Sequence, residues 1–83
     1  MKRIDIAVVE MVGEDGSVTP LYVYKDGRYF QIDKIMSVTR HAPDVPCVSP
    51  MRYDCIIEGK RRSIYKDSHP SNKWFSVRIN YNV

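Results

Sequence analysis

Two runs of alternating side chains, Thr19-Pro20-Leu21-Tyr22-Val23-Tyr24 and Tyr29-Phe30-Gln31-Ile32, flank the tetrapeptide Lys25-Asp26-Gly27-Arg28. An Asp-Gly pair in that setting is a strong short-range hairpin signal. The tight turn whose twist matches its strands needs positive φ at both central residues, and Asp and Gly tolerate it. The stretch Thr19 to Val38 therefore reads as two strands of an antiparallel pair. Its phase sets Leu21, Val23 and Phe30 against Tyr22, Tyr24 and Tyr29. With Leu21 and Phe30 in a core, the tyrosines face outward.

The remaining chain supplies more strands. Residues 3–11, RIDIAVVEM, put Ile4, Ile6 and Val8 on one face, and their β-branched side chains favour strand over helix. Gly13 to Ser17 is a turn cluster. Pro20 lacks an N–H for a ladder, so it belongs at the start of the second strand or on an edge. Residues 28–40 are long for one strand, and a bulge near Asp33 would bend it to serve two sheets. His41 to Pro50 is a loop, because Pro43, Pro46 and Pro50 exclude regular structure. Residues 51–58 direct Tyr53, Cys55 and Ile57 inward. A turn at Gly59-Lys60 leads to a strand over 61–66, with Ile64 and Tyr65 as its apolar members. In residues 74–81, Phe75, Val77, Ile79 and Tyr81 share one face; Trp74, Ser76 and Arg78 share the other.

No segment matches a helix pattern. Six strands with short links predict an all-β fold: a small antiparallel barrel of about six strands, SH3-like or of split-barrel type, with no substantial helix. Closure covers an apolar face that a single open sheet would leave wet. The 83 residues form one domain, too small for a deep cleft between subdomains and short of the ~100 residues of an immunoglobulin-type sandwich. The start of the chain lacks the apolar run of a signal peptide, since Asp5 and Glu10 interrupt it. No stretch approaches the ~20 apolar residues of a membrane span. The expectation is a cytoplasmic protein with Cys47 and Cys55 as reduced thiols.

Catalytic and metal chemistry find little support. Cys47, Cys55, His41 and His69 are the only soft ligands, and their spacing matches no zinc site, so neither metal nor cofactor is expected. No local feature would activate a thiol, the carboxylates are scattered, and the glycines form no phosphate cradle. The chain is expected not to be an enzyme.

Charge points elsewhere. The net charge is +3; residues 1–45 hold six Lys/Arg against seven Asp/Glu, and residues 46–83 hold seven against three. In this basic second half, Lys60, Arg61, Arg62 and Lys66 crowd one hairpin. Arg52 precedes them; Lys73, Trp74 and Arg78 follow. If the last three strands are adjacent, their outward side chains form a basic face that Trp74 and Tyr65 could join. Cations that track phosphates beside rings that stack on bases suit single-stranded nucleic acid. Equally, Trp74 could cap the barrel end, Tyr65 could pack inside, and the Lys60-Arg61-Arg62 tip could be a solubilising surface. The alternative is a protein-binding surface made by Tyr22, Tyr24 and Tyr29.

Several of these segments together, TPLYVYKDGRYFQIDKIMSV, RYDCIIEGK, SIYKD and KWF, resemble a group of small bacterial proteins filed as domains of unknown function. The resemblance spans roughly residues 17–77 and carries no catalytic signature. It implies a cytosolic all-β protein. Some members accompany DNA-repair polymerases, which implies single-stranded nucleic acid or a DNA-repair protein as a partner. The loop over 42–50 is longer than the glycine-containing link of that group.

Overall fold

A computed structural model describes residues 2–40, 50–68 and 71–78, without the side chains of Lys2 and Arg78. Six strands follow in chain order: β1 (Lys2–Val12), β2 (Val18–Lys25), β3 (Arg28–Arg40), β4 (Met51–Ile57), β5 (Lys60–Lys66) and β6 (Trp74–Arg78). Each pairs antiparallel with the next, and β6 returns to β1, so the sheet closes into a barrel. No helix long and apolar enough to cross a membrane occurs among the described residues. The loop expected over 41–50 lies outside them except for Pro50.

Turn chemistry places the hairpins. At the β2–β3 turn, Asp26 and Gly27 have φ of 52° and 76°, the paired positive angles the sequence calls for. Glu58 and Gly59 repeat the device between β4 and β5, with φ of 47° and 80°. That second turn is held against β3: the Gly59 N–H donates to Asp33 Oδ2 (3.1 Å) and the Glu58 N–H to the Gln31 carbonyl (3.2 Å).

Bulges decide which side chains enter the core. The β3–β4 register slips between Ile32 and Lys34, as expected near Asp33, and again between Ile35 and Ser37. The first slip turns Ile35 inward opposite Cys55, and the second leaves Met36 exposed. Met36 and Val38 are both exposed, Val38 although it pairs with the buried Tyr53. A further slip between Val9 and Glu10 sets Glu10 opposite Pro20 and skips Leu21. Pro20 is therefore fully buried inside β2 rather than at its start or on an edge, and Leu21 turns outward while Val23 stays in. A bulge suits proline, whose missing N–H would otherwise break a ladder bond.

The core proper is Tyr53, Cys55, Ile64 and Trp74, with Ile6, Val8, Val23, Ile32, Ile35 and Ile57 among those packed around it. Trp74 is the largest correction. It was assigned the outward face of its strand, but it is 5% exposed and its ring lies 5.0 Å from that of Tyr53. Phe75 consequently faces out, where it is buried another way: Tyr65 stacks on it at 5.2 Å and the Arg3 guanidinium lies 3.8 Å from its ring centre. Arg3 also donates to Asp67, a buried carboxylate that accepts the Ser71 hydroxyl at 3.1 Å.

Cys55 is wholly enclosed; burial, then the nearby Asp54 charge, pushes its thiol up to about 11. With Cys47→Ser in the background, Ellman's reagent at pH 8 should leave native protein unmodified and titrate one thiol after denaturation, because only the thiolate reacts. A second prediction concerns Gly59→Ala, whose Cβ meets nothing within 4 Å but whose φ is left-handed. The substitution should cost about 1 kcal/mol in chemical denaturation, through backbone strain alone.

Candidate functional site

Strand parity divides the basic hairpin. Lys60 pairs with Ile57 and Arg62 with Cys55, so both stand on the core-facing side of β5, whereas Arg61, opposite Ile56, stands outside. The same logic applies across the barrel: Lys25 and Arg28 pair with each other on the face of Val23 and Phe30. At these hairpin ends the apolar filling stops, and the inward positions carry cations that reach solvent. Lys25, Arg28, Lys60 and Arg62 are all exposed. They ring an open barrel mouth.

Two recesses lie there. The larger, about 760 Å³, is lined by Ile4, Ile6, Tyr24, Lys25, Arg61 and Arg62, among others. The smaller, about 340 Å³, is lined by Arg28, Phe30, Ile57, Glu58, Lys60 and Arg62. Arg62 borders both. Among the described residues β5 and β6 pair at Tyr65–Phe75 and Lys66–Trp74, and the larger recess lies beyond those rungs. Ser63 of β5 and Ser76 and Val77 of β6 line the opening beyond those rungs.

The cations differ in what holds them. Arg28 bonds Glu58 at 3.0 Å and lies over the Phe30 ring at 4.6 Å. Lys25, Lys60, Arg61 and Arg62 form no ion pair among the described residues. Asp5 is the carboxylate of the larger recess, 64% exposed and 4.0 Å from both Arg3 and Lys73.

The other basic candidates serve the framework. Arg52 is on the outer wall, its Nε donating to Asp54 Oδ1 at 3.0 Å. Asp54 also accepts the hydroxyls of Ser63 (2.5 Å) and Ser37 (3.0 Å), tying β3, β4 and β5 together. The Ser63 bond first, then Arg52 and Ser37, holds the Asp54 carboxyl down at about 2. Lys66 is only 13% exposed and faces the interior, where it bonds both oxygens of Glu10 (2.7 and 3.0 Å). Trp74 Nε1 donates to the same Glu10 Oε1 at 2.7 Å. Arg78 ends β6 opposite Lys2, and its side chain falls outside the described residues. The last three strands thus carry no continuous outer basic face: among the described residues Arg52 and Arg61 face outward, with the Asp54–Ser63 rung between theirs.

Tyr22, Tyr24 and Tyr29 do come together. Tyr24 and Tyr29 have ring centres 4.9 Å apart, and Tyr22 meets Tyr29 edge-on at 6.2 Å. All three are exposed on the outer face of β2 and β3. Of the soft ligands, His41, Cys47 and His69 lie outside the described residues, and no group of three or more His, Cys, Asp or Glu able to hold a metal occurs among the described ones.

Sequence reasoning missed Lys25 and Arg28 as members of the basic set, because they lie in the charge-balanced first half of the chain. Counting parity from each turn would have found them: both flanking positions of an Asp-Gly turn share a face with the apolar residues two places further on. Glu10 was missed for another reason. An acidic residue late in an apolar strand gives no sign of the distant partners that accommodate it.

Comparisons with protein-family models, with curated proteins and with solved structures find no match for this chain.

The Glu10 group generates the first test of this arrangement. Burial raises its pKa, but the hydrogen bonds from Lys66 and Trp74 outweigh that, so the carboxyl titrates below its ordinary value. Asp54 is lowered too. A depressed carboxyl contributes stability that is complete above the unfolded values, near 4, and is lost as pH falls through the folded ones. Urea midpoints should therefore fall steadily from pH 5 toward pH 2. Glu10→Ala should lose about 3 kcal/mol at pH 7, since it strands a largely buried ammonium, and should flatten that acid limb.

Proposed function

We propose that this protein is a non-enzymatic binding module of the bacterial cytoplasm that contacts single-stranded nucleic acid, as an accessory to DNA-repair machinery. The observation that carries the reading is the gathering of Lys25, Lys60, Arg61 and Arg62, without ion pairs among the described residues, at one end of the barrel beside the exposed ring of Tyr24. Arginine and lysine free of carboxylates retain their full attraction for phosphate, and an exposed tyrosine offers a stacking surface. The contact set moves accordingly: Arg52, Lys66 and Trp74, engaged with Asp54 and Glu10, belong to the framework.

A second reading, docking of a protein on Tyr22, Tyr24 and Tyr29, draws support from their mutual ring contacts and exposure. Tyrosine is enriched at protein interfaces, where a rigid amphipathic ring buries area at low entropic cost.

Anisotropy of a labelled single-stranded oligonucleotide, measured between about 50 and 200 mM salt, tests the first reading. Binding should weaken steeply with salt. Lys60→Gln with Arg61→Gln and Arg62→Gln should lower the log–log slope by about 2, three released phosphate contacts at ~0.7 each. Lys66→Gln should lower the melting temperature and leave that slope alone. No binding at the lowest salt, or an unchanged slope in the triple variant, would refute the proposal. For the second reading, Tyr22→Ala with Tyr29→Ala, which leaves the Tyr24 ring in place, should release a bound partner protein while leaving oligonucleotide affinity within about threefold.

A further inference from the structure

We infer that the barrel mouth is an end-binding site: it receives the terminal nucleotide of a strand, with the base in the larger recess and a terminal phosphomonoester at the junction marked by Arg62. This inference rests on the nucleic-acid reading above and narrows its ligand.

Shape is the first argument. The two recesses, about 760 and 340 Å³, have the size of small-molecule pockets rather than of a groove that tracks a polymer. They do not lead through the barrel. Cys55, directly opposite Arg62 on the paired strand, has no exposed surface, and Ile64 and Trp74 pack with it. A strand entering the mouth therefore meets a floor.

Chemistry is the second. The larger recess sets Ile4, Ile6 and the Tyr24 ring beside Lys25, Arg61 and Arg62. An apolar wall next to a cationic rim suits a ligand with a flat, weakly polar body and an anionic group at one end. A nucleotide has that form. Its base can lie on aliphatic and aromatic carbon while its phosphate reaches the guanidinium groups, which can grip oxygen pairwise. Arg62 borders both recesses, so a phosphate beside it also comes under the field of Lys60 from the smaller one.

Charge is the third argument. Of the two carboxylates lining the recesses, Glu58 is engaged by Arg28 at 3.0 Å, and Asp5 lies in the outer, solvated part at 64% exposure. Lys25, Arg61 and Arg62 are left around the larger recess, a space of nucleotide size, and Lys60 stands in the smaller one beside Arg62. A phosphodiester within a strand carries one negative charge, whereas a terminal phosphomonoester approaches two at neutral pH. Three of these cations on the larger recess, with the fourth in the adjoining one, favour the end of the chain.

The test compares one oligonucleotide sequence in four forms: 5′-phosphorylated, 3′-phosphorylated, without terminal phosphate, and circular. The terminally phosphorylated forms should bind about tenfold more tightly than the circle, and Arg62→Gln should remove the difference while melting unchanged. Thymidine monophosphate should displace the phosphorylated strand at concentrations where inorganic phosphate does not. Equal binding of circle and phosphorylated linear forms would overturn end recognition and leave strand binding standing. Failure of all four forms to bind would remove the underlying reading as well. Displacement by inorganic phosphate as effective as by the nucleotide would show that no base enters the recess. Stronger displacement by dodecyl phosphate than by the nucleotide would assign the recess to an aliphatic amphiphile instead.

Discussion

The closure of the barrel depends on one carboxylate. Among the described residues β5 and β6 meet at two rungs, and Lys66 opposite Trp74 is one of them. Glu10, from β1, accepts hydrogen bonds from both members of that rung. The three side chains come from the three strands that must meet if the sheet is to close; on the outer face Arg3, Phe75 and Tyr65 link the same strands. Dehydrating an ammonium and a carboxylate is costly, and a bare ion pair rarely offsets the cost. Here the carboxylate receives an indole N–H besides, and the ammonium lies 5.3 Å from the Trp74 ring centre, over its electron-rich face. Glu10 faces inward in phase with Ile6 and Val8, and the bulge in β2 sets it against Pro20, a residue with no N–H to leave unpaired.

That arrangement makes the ends of β5 unlike. Lys66, at one end, is neutralised within the core. Lys60 and Arg62, toward the other, share its parity and its charge yet have no carboxylate partner among the described residues. The difference comes from what lies across the barrel. Opposite Lys66 stands β1, whose inward alternation delivers Glu10, whereas the opening beyond Arg62 is bordered by Lys25 and aliphatic carbon. Among the described residues β5 and β6 pair at two rungs, and the larger recess lies beyond them, bordered by Ser63, Ser76 and Val77.

Much of the fold was legible in the residues. The Asp26-Gly27 turn, the six strands, the bend at Asp33 and the inward run Tyr53, Cys55, Ile57 all follow from local rules about φ, alternation and turn chemistry. The errors share one origin. Alternation counted from a neighbour misplaces Leu21 and Trp74. A bulge shifts that count at Leu21, and at Trp74 two adjacent aromatic residues leave it no way to choose. Both proved to be buried, Trp74 in the core and Phe75 outside it beneath Arg3 and Tyr65. Periodicity cannot express a side chain that is buried on the outside of a sheet.

The sequence by itself determined the class of fold, the positions of its hairpins and the excess of positive charge in its second half. These are properties of single residues and near neighbours: which φ a residue tolerates, which face it shares, what charge it carries. Tertiary structure decided which cations are spent and which remain. Arg52 and Lys66 look the same in the chain as Arg61 and Arg62. They differ because Asp54 stands beside one and Glu10 has been carried across the barrel to the other. Closure also brought Lys25, from the balanced half, to the same mouth as Arg62. Electrostatic attraction depends on distance through space, and only the closed barrel sets those distances.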